Sequence, residues 1–136
     1  MIKYLLVTHA YLAEGFRSAS EMIMGKQERL LAFCAYLNEN ENVFEKIDDE
    51  VRDLSTEDTL IIITDLLGGS VNSAMMQYTK NKNIHLVTGA NLLLIIQLLM
   101  IQTEDEIYSH ISKIIDEAKQ GVCYLNQVAE EKEEDF

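Results

Sequence analysis

Short apolar runs alternate along this chain with stretches in which apolar residues recur every three or four positions, and the alternation repeats through four cycles. Tyr4-Leu5-Leu6-Val7, Leu30 to Leu37, Leu60-Ile61-Ile62-Ile63 and Ile84-His85-Leu86-Val87-Thr88 read as strands, each too short and too continuously apolar for a surface helix. Between them, Leu12, Phe16, Ala19 and Ile23 mark one face of a helix with Glu14, Arg17 and Glu21 on its other faces, and Gly25 is placed to end it. Phe44, Ile47, Val51 and Leu54 mark an acidic helix that stops before Ser55-Thr56-Glu57-Asp58. Val71, Ala74, Met75 and Tyr78 mark a third. Asn38 to Asn42 reads as a polar loop and Asn81 to Asn83 as a turn. After the fourth strand, Gly89-Ala90-Asn91 opens an apolar helix through Ile101. A further helix from Glu104 to Gln120 buries Ile107, Ile111, Ile114 and Ala118, and Gly121 stops it. Val122-Cys123-Tyr124-Leu125 has the makings of a last short strand, and Ala129 to Phe136 reads as a mobile acidic tail.

Strand and helix in regular alternation imply an α/β fold, a mostly parallel, doubly wound sheet with helices on both faces and right-handed crossovers. Buried parallel strands explain why the apolar runs do not alternate with polar residues. The 136 residues suit a single domain, placed at 1–128 with the tail at 129–136. No internal repeat or linker interrupts it, and the absence of proline leaves no helix forced to kink.

Composition narrows the function classes. With 48% hydrophobic and 25% charged residues the chain has the balance of a soluble globular protein. A formal net charge of -12 argues against nucleic acid and anionic membrane surfaces and suits a partner with a basic face. No apolar stretch reaches the ~20 residues of a membrane span. The first strand begins almost at Met1, which leaves no room for a targeting segment and points to the cytoplasm. Cys34 and Cys123 lack metal-ligand spacing, and each lies in an apolar run where a small buried thiol is the usual reading.

The chemistry gathers at two strand ends. The first strand ends at Thr8-His9, and the third runs into Thr64-Asp65-Leu66-Leu67-Gly68-Gly69-Ser70-Val71-Asn72. In a parallel sheet, ligands collect beyond the carboxyl ends of the strands where the winding reverses, and His9 and Asp65 both fall at that edge. Gly68 and Gly69 allow a sharp turn, and Ser70 is placed to cap the next helix, so that backbone N–H groups and a helix dipole favour an anion. The turn has neither the spacing nor the lysine of a P-loop, and it lacks the three glycines of a dinucleotide fingerprint. No metal-ligand spacing occurs, so no metal and no cofactor is expected. The site suits one small anion such as a phosphoryl group. His85 lies within a strand, where a structural role is expected, and His110 lies on the last helix at its surface.

Val7-Thr8-His9, Ala13-Glu14, Asp65-Leu66-Leu67-Gly68-Gly69-Ser70-x-Asn72 and Gly89-x-Asn91-Leu92 together resemble the IIA protein or domain of the mannose family of the bacterial sugar phosphotransferase system. The resemblance runs from residue 1 to about residue 128. It implies that His9 is the phosphoryl acceptor, carrying the group on Nε2, that Asp65 orients His9, and that Ser70 contacts phosphoryl oxygens beside the Gly68-Gly69 turn. It implies phospho-HPr as donor, a IIB protein or domain as acceptor, the membrane components IIC and IID as indirect partners, and a homodimer that exchanges a carboxyl-terminal strand. The chain departs from the family at Ala10, where Gly is frequent, and at Val71 and Leu93, where Pro is usual. Two other readings stay open: a phosphoryl-donor subunit for dihydroxyacetone kinase, and a regulatory module phosphorylated on His9.

Overall fold

Four parallel strands, β1 (Ile2–His9), β2 (Leu30–Ala35), β3 (Thr59–Thr64) and β4 (Ile84–Thr88), lie in the order β2-β1-β3-β4 in a computed structural model that describes residues 1–38 and 41–134. Six α-helices connect or follow them: α1 (Leu12–Met24), α2 (Val43–Arg52), α3 (Ser70–Met75), α4 (Leu92–Leu99), α5 (Ile107–Lys119) and α6 (Leu125–Glu134). One 3-10 segment, Met76–Lys80, extends α3. The expected α/β sheet is therefore present. Residues 39 and 40 of the expected polar loop, and 135 and 136 of the expected tail, lie outside the described residues.

The pleat divides the apolar strand residues between two cores. Tyr4 and Leu6 of β1 and Ile61 and Ile63 of β3 face one core with α1, α4 and α5. Leu5, Val7, Leu60 and Ile62 face the other, with Ile47 from α2 and Val71 and Met75 from α3. All six residues of β3 are buried, which a strand covered on both faces requires. Tyr4 is also fully buried, and its hydroxyl donates to the Leu98 carbonyl of α4 at 2.6 Å. Burial pushes the Tyr4 phenol up to about 12, so it serves as a neutral donor.

Two strand-terminal threonines tie the sheet to its helices. Thr8 Oγ1, fully buried, accepts from the Ala13 N–H at 2.7 Å and so satisfies an amide in the first turn of α1. Thr64 Oγ1 donates to Asn72 Oδ1 of α3 at 2.8 Å in a buried contact. Asn91 caps α4, its side-chain oxygen accepting from Leu94 N–H at 3.0 Å.

Four expectations are corrected. The inward face of α1 is shifted by one position: Ala13 and Ser20 are buried, with Phe16 and Met24 packed on the core, while Leu12 and Ile23 are 44% and 61% exposed. The Thr8 bond to Ala13 fixes the rotation of the helix, and two small side chains let it lie close to the sheet. Cys34 packs partly on the core, but Cys123 is exposed, its Sγ close to the Gln120 carbonyl at 3.1 Å. Val122-Cys123-Tyr124 is not a strand, and Leu125 opens α6. Among the described residues of this single chain these positions form no strand. The Gln127 and Val128 amides turn back onto the Tyr124 carbonyl at 3.1 and 3.2 Å, and the Ala-, Glu- and Lys-rich residues that follow favour helix. Residues 129–134, expected as tail, continue α6.

Thr64→Val would leave the buried Asn72 side chain without its partner at the base of α3. We expect a loss of about 1–3 kcal/mol of folding stability, read as a lower urea midpoint with an unchanged m-value. An unchanged midpoint would show that this hydrogen bond does not anchor the helix.

Candidate functional site

From β1 the chain crosses first to β2 on one side and then to β3 on the other, so the winding reverses between β1 and β3. Loops leaving these two strand ends diverge and open a crevice at their carboxyl edge. The parallel register pairs Val7 with Thr64 and His9 with Ala35. His9 and the Asp65 that follows β3 therefore share that edge, 56 positions apart in sequence.

One carboxylate oxygen holds the histidine at two points. Asp65 Oδ2 accepts from the His9 backbone N–H at 2.8 Å and lies 2.8 Å from His9 Nδ1. The other oxygen, Oδ1, accepts from the Leu66 N–H at 3.0 Å. The carboxylate is 8% exposed while the imidazole is 39% exposed, so a buried anchor holds an accessible ring. Burial pushes the Asp65 carboxyl upward, but the His9 amide and ring together outweigh it and hold the group below the usual carboxylate range. Asp65 is thus ionised near neutral pH and can only accept, which assigns the Nδ1 proton to the bond. In the neutral ring the lone pair then sits on Nε2, on the side turned away from Asp65.

The glycine turn presses against the ring. A Cβ at Gly69 would lie 3.6 Å from His9 Cε1 and 3.3 Å from the Leu66 carbonyl oxygen. Gly68 has φ +74°, the left-handed region that a side chain disfavours. Ala10 adopts φ +51° immediately after His9, and its amide donates to the Ala35 carbonyl at 3.0 Å. That conformation accounts physically for glycine as the easier residue at this position.

Ser70 is at the site but not as the expected cap. Gly69 occupies the cap position in extended conformation, with no side-chain cap bond, and Ser70 is the first residue of α3. Its Oγ pairs with the Tyr36 hydroxyl at 2.8 Å. Tyr36 was not among the residues that the sequence singles out. It follows β2, has φ +66°, and places its ring 5.5 Å from the His9 ring at 43° and 6.2 Å from the Phe44 ring. Its only sequence signal is that it succeeds Ala35, and that matters once β2 is known to pair with β1 at His9. Asn72, quoted above for its place in the motif, is structural through Thr64. The Gly69 amide donates to the Leu66 carbonyl at 3.2 Å and closes the turn.

The remaining histidines stay apart from this cluster. His85 lies within β4, where burial lowers its pKa. A cavity of about 220 Å³ lined by Lys3, Arg29 and Leu54 opens at the opposite end of β1. Its cations are engaged, Lys3 by Asp58 at 3.5 Å and Arg29 by the Ile2 carbonyl at 3.2 Å. Among the described residues no helix is long and apolar enough to cross a membrane.

A family model described as a fructose IIA component of the phosphotransferase system matches residues 3–115. No curated protein sequence matches. Among solved structures, the chain is similar to a protein from Klebsiella pneumoniae described as a phosphoenolpyruvate-dependent sugar phosphotransferase system permease. They share 33% identity over 94% of this chain and 93% of that one, with a TM-score of 0.87. It is also similar to a phosphotransferase system component EIIA from Streptococcus agalactiae, with 27% identity over 93% and 99% of the two chains and a TM-score of 0.72. A mannose/sorbose-specific IIA subunit from Enterococcus faecalis, 18% identical over 89% and 92% of the chains, shares the fold with a TM-score of 0.73.

The lowered Asp65 pKa makes stability depend on pH with a definite sign. The folded state binds this proton less readily than the unfolded chain, so the contribution is present above the unfolded pKa of about 4. It is lost as pH falls through the folded value. Chemical denaturation at pH 7 and pH 3 should show a larger loss for wild type than for Asp65→Asn, which has no proton to take up here. Equal losses in the two proteins would contradict the coupling of Asp65 to His9.

Proposed function

Because the chain belongs to the fructose- and mannose-type IIA family of the sugar phosphotransferase system, we propose that His9 accepts a phosphoryl group on Nε2 from phospho-HPr and passes it to a IIB protein or domain during sugar uptake. Membership itself implies a phosphoryl carrier within that system, and phosphotransferase activity in the general sense. The observation that carries the finer reading is the bond from the nearly buried Asp65 to His9 Nδ1 at 2.8 Å.

The chemistry follows from that bond. Nε2 supplies the electron pair of the new N–P bond, while the pair of the breaking bond returns to the donor nitrogen. Positive charge grows on the imidazole as the bond forms, and the Asp65 carboxylate stabilises it. Charge also spreads over the phosphoryl oxygens, where Ser70 Oγ and the Gly68 side of the turn supply donors. Little else is required of the protein beyond holding the ring in line with the incoming phosphorus. The reverse geometry serves the acceptor, so one open crevice meets two partners in turn. A net charge of -12 steers partners with basic faces to it.

Incubation with phospho-HPr should add one acid-labile phosphate, read by mass spectrometry, and His9→Ala should remain unlabelled. Full labelling of His9→Ala would overturn the assignment. Asp65→Asn keeps the shape of the anchor but not its charge, and its transfer should slow by roughly 100-fold or more. Transfer at the wild-type rate in that variant would remove Asp65 from the mechanism.

A further inference from the structure

Tyr36 reaches the site from a strand that carries none of the reacting groups. A tyrosine at φ +66° is uncommon and persists where its surroundings hold it. Here the surroundings are the site itself. The ring leans on His9 at 5.5 Å and on Phe44 at 6.2 Å, and the hydroxyl meets Ser70 Oγ at 2.8 Å. The residue is 60% exposed, so it is not placed there to fill the core. Around the imidazole, Nδ1 is turned to Asp65 and Gly69 abuts Cε1. Cε1 is bonded to Nε2, and the next residue, Ser70, with the Tyr36 hydroxyl bonded to it, continues the turn that meets the ring at that atom.

Two hydroxyls bonded to each other use one proton between them and leave the other free, and both O–H groups can rotate toward a better acceptor. We propose that Tyr36 is a further phosphoryl-binding residue, whose hydroxyl donates to an oxygen of the phosphoryl group on His9 alongside Ser70. The pair then exchanges one neutral hydrogen bond for two charge-assisted bonds to a dianion, which are the stronger kind. No covalent bond is made or broken at Tyr36. Its contribution is to favour the phosphorylated state and to fix the direction of the P–O bonds for in-line transfer. The proposal rests on His9 being the acceptor.

Tyr36→Phe keeps the ring against His9 and Phe44 and removes only the donor. At equilibrium with phospho-HPr, the constant for phosphoryl transfer onto the protein should fall about tenfold in Tyr36→Phe, the size expected for one hydrogen bond to a charged group. A role in packing alone would leave that constant unchanged. The comparison is repeated in a Ser70→Ala background, where Tyr36 has lost its hydroxyl partner, and the loss should persist. An undiminished constant in Tyr36→Phe, or a loss that vanishes when Ser70 is already absent, overturns the direct contact while leaving His9 labelled in the wild type. If wild type takes no label on His9, the acceptor assignment and this proposal fall together.

Discussion

Everything at the carboxyl edge of this sheet depends on one carboxylate oxygen accepting two hydrogen bonds from the same histidine. Asp65 Oδ2 takes the backbone N–H of His9 and its Nδ1–H, each at 2.8 Å. The first bond fixes where the residue is, and the second fixes how its ring is turned. Because the carboxylate is nearly buried, water competes little for it and the ring has one dominant orientation. The lone pair of the neutral ring then sits on the other nitrogen, Nε2, of a side chain that is itself partly open to solvent.

That bond is possible only because β1 and β3 are neighbours at the point where the winding reverses. The two strands end together, and Thr8 and Thr64, adjacent to His9 and Asp65, each lock a strand end to the helix that follows. The site is thus stiffened from behind by buried hydrogen bonds, while the Gly68-Gly69 turn and Tyr36 close on the ring from the sides. Rigid support under an open ring suits a carrier that meets different proteins with the same face.

Much of this arrangement is legible in the chain. Parallel strands covered on both faces must be continuously apolar, so β1, β3 and β4 stand out, and their ends point to His9 and Asp65 without knowledge of distances. What escapes the sequence depends on tertiary contact. The rotation of α1 is set by Thr8 bonding to Ala13, and so Leu12 and Ile23 stay exposed although their spacing suits a core. Ser70 precedes a helix and has the chemistry of a cap, yet Gly69 takes that place and frees the hydroxyl for Tyr36. Tyr36 itself enters the site only through the pairing of β2 with β1, information that no local pattern holds. Val122 to Leu125 is apolar enough for a strand, but a strand needs an edge to pair with, and helix propensity beyond Leu125 decides the outcome.

Nuclear magnetic resonance on the phosphorylated protein reads the orientation of the His9 ring. With ¹⁵N-labelled histidine, coupling between phosphorus and nitrogen identifies the atom that carries the group. Coupling to Nε2 of His9 is expected, with Nδ1 still protonated and bonded to Asp65. Phosphorus coupled to Nδ1, or to a ring nitrogen of His85 or His110, would contradict it.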